Sequence, residues 1–161
     1  MYQRWIISSL SILLSIVVAA CSNVATSQPQ QVATTPTAPQ QTAQRVVALT
    51  PLSADIIYRL DQNKLVGIAG SSVLNKDSRF QDITSVAQGR TQPNLEKIVA
   101  LKPDLVIGAS GFSDQTLKRL QELKISTLAT KIDSWKALSE LTTSLAVRIG
   151  ASPKPLLDKY Q

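Results

Sequence analysis

The chain has 161 residues, a formal net charge of +6, one cysteine and no histidine. Without histidine there is no His-ligated metal site and no Ser-His-Asp triad, and a single cysteine excludes an internal disulfide framework. The basic residues are scattered, with no basic run and no interleaved aromatics, so nothing in the sequence marks a nucleic-acid partner.

Residues 1–20 have the three-part shape of an export signal. Arg4 gives a positive start, Trp5 to Val18 is apolar but for serines, and Val18-Ala19-Ala20 places small residues before Cys21. The apolar run of about 14 residues is shorter than the roughly 20 that a membrane-crossing helix needs. The tetrapeptide Val18-Ala19-Ala20-Cys21 resembles the bacterial lipobox. That resemblance implies that the Cys21 thiol carries diacylglycerol, that the leader is cut before it, and that the new amino terminus is usually acylated too. Several acyl chains hold a protein stably on a membrane, where one does so only marginally. Residues 22–44 carry no charge and no aromatic ring. A stretch so rich in Pro, Gln, Thr and Ala cannot bury enough apolar surface to offset its ordering entropy, and is expected to be a disordered tether.

Composition changes at Arg45. Val46-Val47-Ala48-Leu49 reads as a buried strand, ended by Thr50-Pro51. Ser53 is the expected cap of a helix through about Leu60, with Ile56, Ile57 and Leu60 on one face. Leu65 to Ala69 is a second buried strand, closed by Gly70-Ser71-Ser72, and Ile83 to Val86 is a weaker extended piece. Asn94 caps a helix from Leu95 to Leu101, which Pro103 stops by pushing Lys102 out of the α region. Leu105 to Gly108 is the third clear strand. Ser113 then caps a helix through Leu123, with Leu117, Leu120 and Leu123 at helical spacing. Ile125 to Ala129 is the fourth strand. Asp133 or Ser134 opens a helix that ends at Gly150, with Leu138, Leu141, Leu145 and Ile149 inward and Trp135 in register with Leu138 as core. Tyr58 is read as structural.

Apolar strands separated by helices predict an α/β fold: a single three-layer lobe with a mostly parallel sheet of about four strands, flanked by helices. Ligands of such sheets sit beyond the carboxyl ends of the strands. That rule nominates Thr50, Pro51, Ser53, Ser71, Ser72, Ser110, Gly111 and Phe112. No metal set and no cofactor is expected. Neither a Gly-x-Gly-x-x-Gly nor a P-loop pattern occurs, and no nucleophile–base pair is visible, so no enzyme is expected.

The run Gln92-Pro93-Asn94-Leu95-Glu96-Lys97-Ile98-Val99-Ala100-Leu101-Lys102-Pro103-Asp104-Leu105-Val106-Ile107 closely resembles a signature of the cobalamin- and siderophore-binding proteins of ABC importers. Arg45 to Pro51, Leu65-Val66-Gly67-Ile68 and Leu123-Lys124-Ile125 match the same fold. The resemblance implies two α/β lobes joined by one long helix, with a ligand held in the cleft between them. It also implies a glutamate on each lobe that pairs with an arginine of the permease; in the first lobe that residue is Glu96. Exposure near a helix start, where the helix dipole favours a carboxylate, agrees with that role. On this reading residues 1–20 are a lipoprotein signal peptide and residues 21–44 the lipidated cysteine and linker. Residues 45–152 are the amino-terminal lobe, and residues 153–161 begin an interlobe helix that the chain truncates. The implied partners are an ABC permease with its ATPase, a small iron chelate, and the membrane through the lipid anchor. The protein would be exported and face the periplasm or the cell exterior.

Cobalamin-binding relatives place aromatic residues around the cleft, whereas the matching positions here are Arg90 and Ala109, and neither stacks on a corrin. An arginine fork suits the carboxylate or catecholate oxygens of a ferric siderophore. The expected function is therefore that of a substrate-binding lipoprotein for iron(III)–siderophore import. A cobalamin-binding member of the family and a non-transporting lipoprotein remnant are the alternatives.

Overall fold

The computed structural model describes residues 42–88 and 91–159. The leader, Cys21, most of the linker, Gly89 and Arg90 lie outside the described residues. In chain order the elements are β1 (Val46–Ala48), α1 (Pro51–Asp61), β2 (Leu65–Ala69), β3 (Thr84–Ala87), α2 (Leu95–Ala100), β4 (Leu105–Ala109), α3 (Asp114–Glu122), β5 (Ser126–Thr130), α4 (Trp135–Ile149) and α5 (Lys154–Leu157). Single 3-10 turns stand at Gln62–Lys64, Leu74–Lys76 and Ser78–Phe80.

The five strands form one sheet in the order β3-β2-β1-β4-β5, and every neighbouring pair is parallel. The sheet therefore has one strand more than the sequence led one to expect. The extra one is β3, an edge strand whose polar Thr84 and Ser85 give a weak apolar signal, and pairing with β2 supplies what propensity does not. Strand β1 is central and fully buried, and its alternating side chains feed two different cores. Val46 and Ala48 pack with Leu105 and Ile107, with Ala54, Ile56 and Ile57 of α1, and with Leu141, Leu145 and Ile149 of α4. Val47 packs on the other face with Val86, Val106, Ile98 of α2, and Leu117 and Leu120 of α3. Helices thus cover both faces, which is why these strands read as unbroken apolar runs rather than alternating ones.

Helix starts are set by local chemistry. Asn94 accepts from the Lys97 amide at 2.9 Å, and Ser134 from the Ala137 amide at 3.1 Å. Gly150 closes α4 at φ 70°, a left-handed position that suits glycine. Helix α1 differs from expectation. Its cap is Thr50, whose hydroxyl accepts from the Ser53 amide at 3.1 Å, and Pro51 takes the first helical position. Proline loses nothing there, because that N–H has no helical partner anyway. Ser53 becomes an interior, buried residue. Ser113 precedes α3, but its hydroxyl turns inward and accepts from the Ala109 amide at 3.2 Å. Lys102 has φ 47°, in keeping with its displacement by Pro103.

The core assignment of Trp135 needs correcting, and Leu123 does not share the buried face of Leu117 and Leu120. Trp135 is 63% exposed and Leu123 is 53% exposed. Trp135 is the first residue of α4, and its turn reaches past the end of β5; the buried stripe of the helix begins only at Leu141. Leu123 is the C-cap of α3, where the chain turns through Lys124 at φ 64° and leaves the helix face. Tyr58 is structural: its ring packs on Phe80 with centroids 5.2 Å apart.

Candidate ligand-binding rim

The chain runs outward from β1 through β2 to β3, then returns to the other side of β1 as β4. The loops after β1 and β4 therefore part company at the carboxyl ends of the strands, and such a switch point opens a crevice. A depression of about 400 Å³ lies there, lined by Leu49, Thr50, Pro51, Ala69, Gly70, Ser71, Thr91, Pro93 and Phe112.

Each wall has a local cause. Thr50 is held by donating its hydroxyl proton to Ser53 Oγ at 2.8 Å. The Gly70 amide donates to the Ala87 carbonyl at 2.8 Å. A Cβ at position 70 would come within 2.8 Å of that same oxygen and 2.7 Å of Ser85 Oγ, so only glycine lets the ends of β2 and β3 close together. The Ser71 hydroxyl accepts from the Leu74 amide. On the third wall the Thr91 hydroxyl donates to the Gln88 carbonyl at 2.7 Å and accepts from the Gln88 amide at 3.2 Å. The far end of that wall is pinned by the Asn94 amide on the Val86 carbonyl. Phe112, 49% exposed, overhangs from the loop after β4.

Of the residues nominated from sequence, the structure brings Thr50, Pro51, Ser71 and Phe112 together on the depression. Ser53 sits behind Thr50 and supports it. Ser72, Ser110 and Gly111 are exposed on the same end of the sheet but do not line the depression. Arg90 lies outside the described residues, between Gln88 and Thr91. Sequence reasoning did not single out Leu49, Ala69, Thr91 and Pro93; their signal was their position, directly at a strand end or within the loop before Asn94. Glu96 is exposed in the first turn of α2, whose amino end lies on the rim side because β3 delivers the chain there.

The rim is also apolar at its edge. Leu52, Val73, Phe112, Ile132 and Trp135 are exposed, and each follows the carboxyl end of a strand. A larger depression of about 700 Å³ lies at the opposite end, lined by Thr42, Ala43, Gln44, Asp104, Leu105, Ser126, Val147 and Arg148. Asp104 is already engaged there, accepting from the Gln44 and Arg45 amides at 2.7 and 2.9 Å. It also lies at the amino ends of the strands, where parallel sheets do not place ligands, so the smaller depression is the functional candidate.

Away from the rim, Arg79 donates side-chain hydrogen bonds to Asp77 and holds that carboxyl below the usual carboxylate range. The same contact holds the arginine above its own usual value. Among the described residues no cluster of carboxylate, cysteine or histidine side chains could hold a metal ion, and no helix is long and apolar enough to cross a membrane.

Residues 46–152 match the periplasmic binding protein family. The chain is 32% identical over 91 residues to the iron-uptake system-binding protein of Bacillus subtilis (strain 168), covering 51% of this chain and 27% of that protein. It is 32% identical over 80 residues to the vitamin B12-binding protein of Yersinia pestis (strain Pestoides F), covering 49% of this chain and 28% of that one. Among solved structures, Staphylococcus aureus SirA superposes with a TM-score of 0.57 at 27% identity, over 72% of this chain and 43% of SirA. The periplasmic vitamin B12 binding protein BtuF of Vibrio cholerae gives a TM-score of 0.57 at 25% identity, over 66% of this chain and 41% of BtuF. The matches thus span about a quarter of each curated relative and less than half of each solved chain. With the family model matched over residues 46–152, which span the whole described sheet, the chain belongs to the periplasmic binding proteins.

Proposed function

We propose that this chain supplies a ligand-holding lobe to the substrate-binding protein of an ABC importer, and that its cargo is a ferric siderophore. The observation that carries this reading is the depression at the switch point, lined mostly by apolar side chains with Thr50, Ser71 and Thr91 among them. Such a surface holds a small molecule by shape and a few hydrogen bonds, as solute-binding sites do. Arg90 directly precedes Thr91 in the sequence, and the planar fork of donors of an arginine suits an anionic chelate. The B. subtilis relative is named for iron uptake, and one SirA structure is a complex with staphyloferrin B.

Trp135 stands exposed on the rim, and Trp5 is the only other tryptophan in the chain. A Trp5→Phe variant of the full chain therefore reports from the rim alone. Titrated with ferric citrate, a ferric tris-catecholate, cyanocobalamin and hemin, and corrected for inner-filter absorption, it is expected to respond saturably to a ferric chelate and not to cyanocobalamin or hemin. A saturable response to cyanocobalamin with every ferric chelate ignored would reverse the ligand assignment. No response to any of the four would favour a non-transporting remnant.

The same proposal assigns Glu96 to permease docking. In cells that import through this protein, Glu96→Gln is expected to slow uptake while ligand affinity stays within about twofold of wild type, the range of a surface change away from the site. Parallel loss of uptake and affinity would give Glu96 a folding role instead. Lipid attachment at Cys21 belongs to this proposal too, as the means of keeping the lobe near its permease.

A further inference from the structure

Parallel strands are ordinarily joined through a helix. The β2–β3 connection has none: residues 70–83 hold two short 3-10 turns, Leu74–Lys76 and Ser78–Phe80. Yet this connection begins with Gly70 and Ser71, which form one wall of the depression. Leu74 and Phe80, each 3% exposed, plug it into the core. Ser71 is coupled to the first turn through both its groups: its hydroxyl accepts from the Leu74 amide and its carbonyl from the Asn75 amide. A shift of the turns is therefore a shift of the wall.

Arg79 ties this connection to α1. Its Nε donates to both oxygens of Asp77, at 3.0 and 3.1 Å, and Nη2 donates to Asp77 Oδ2 at 2.6 Å. Its Nη1 crosses to Asp55 Oδ1 on α1 at 2.9 Å. The other Asp55 oxygen accepts from Arg59 Nε at 2.6 Å, so the carboxylate is held from two sides and cannot swing. The Tyr58 and Phe80 rings lie 5.5 and 5.1 Å from the guanidinium carbon. Asp55 stands one helical turn from Pro51, which forms the facing wall of the depression.

We propose that Arg79 is a positioning residue for the ligand depression: by gripping Asp55 and Asp77 together it fixes the Ser71 wall relative to the Pro51 wall. A lone exposed ion pair would be worth little. This one is a planar fork with three acidic oxygens in reach and a ring near it on two sides, and a lysine has neither the fork nor the plane to replace it. The effect on ligand rests on the binding function proposed above; the effect on the wall does not.

Hydrogen–deuterium exchange on the full chain tests it. In Arg79→Ala, exchange over residues 70–83 is expected to rise about tenfold, the scale of losing a charge-assisted tie, with residues 46–49 and 105–109 unchanged. Arg79→Lys should fail to restore protection, and the milder Asp55→Asn should raise exchange in the same segment by less. Unchanged exchange over 70–83, full rescue by lysine, or an equal rise across β1 and β4 would overturn the assignment. Ferric citrate titration of the same variants should show weaker binding in step with the exchange. A wild-type chain that ignores ferric citrate would count against the ferric cargo and not against Arg79, which the exchange data decide alone.

Discussion

A Cys21→Ser variant is expected to leave the membrane fraction and appear almost wholly in the soluble fraction, while the wild-type chain stays with membranes through a carbonate wash. On the proposed anchoring, diacylglycerol is carried on the Cys21 thiol, which a serine hydroxyl does not replace. The scale of the effect follows from the anchor: burial of acyl chains is worth about 0.8 kcal/mol per methylene, so loss of the chains removes tens of methylenes from the bilayer at once. No helix among the described residues offers a replacement span. The chain also enters the lobe away from the rim. The Ala43 amide donates to the Arg148 carbonyl, and the Gln44 and Arg45 amides donate to Asp104, all at the amino ends of the strands, opposite the rim. A Cys21→Ser protein that remained membrane-bound after the wash would show that something other than a lipidated cysteine holds it, and the anchor proposal would fail.

Leu145→Ala is expected to destabilise the lobe by about 2–5 kcal/mol, the usual cost of deleting a buried leucine side chain and leaving a cavity. Leu145 is fully buried in the core that α4 shares with α1 and with β1 and β4. The cluster around it joins side chains of two helices to those of the sheet, a packing that relaxes only partly into such a space. Val147, two residues on, is 63% exposed, so Val147→Ala is expected to change stability by no more than about 0.5 kcal/mol. Urea unfolding of both variants measures the contrast. A Leu145→Ala chain as stable as wild type would mean that α4 is not packed on the sheet as described.

Different residues were legible to different degrees. Asn94, Ser134 and Gly150 announced helix ends because a cap is settled within three or four residues, by a side-chain oxygen reaching a nearby amide or by the freedom of glycine. The same local rules misplaced the start of α1: Ser53 reads as the cap, but Thr50 caps the helix, Pro51 takes the first position and Ser53 is buried. Strand β3 was faint, because Thr84 and Ser85 owe their conformation to pairing with β2 rather than to their own preference. Trp135 was misread because helical spacing tells which residues share a face but not how far the helix overhangs the sheet. Arg79 drew no notice at all. Its partners are Asp77, two residues away, and Asp55, on another element, and no spacing rule links the latter pair.

What the sequence determined alone was the succession of elements and the kind of sheet. Apolar runs of four or five residues, each followed by a capped helix, leave parallel strands covered on both faces as the consistent arrangement. The strand order β3-β2-β1-β4-β5 was decided only in three dimensions. So was the convergence of Thr50, Pro51, Ser71, Thr91 and Phe112 on one depression. The reason is physical: Val46-Val47-Ala48, Leu65 to Ala69 and Leu105 to Ala109 are nearly equivalent as apolar strands. Which of them lies at the centre depends on how distant helices fill the two cores, not on anything encoded within a single run.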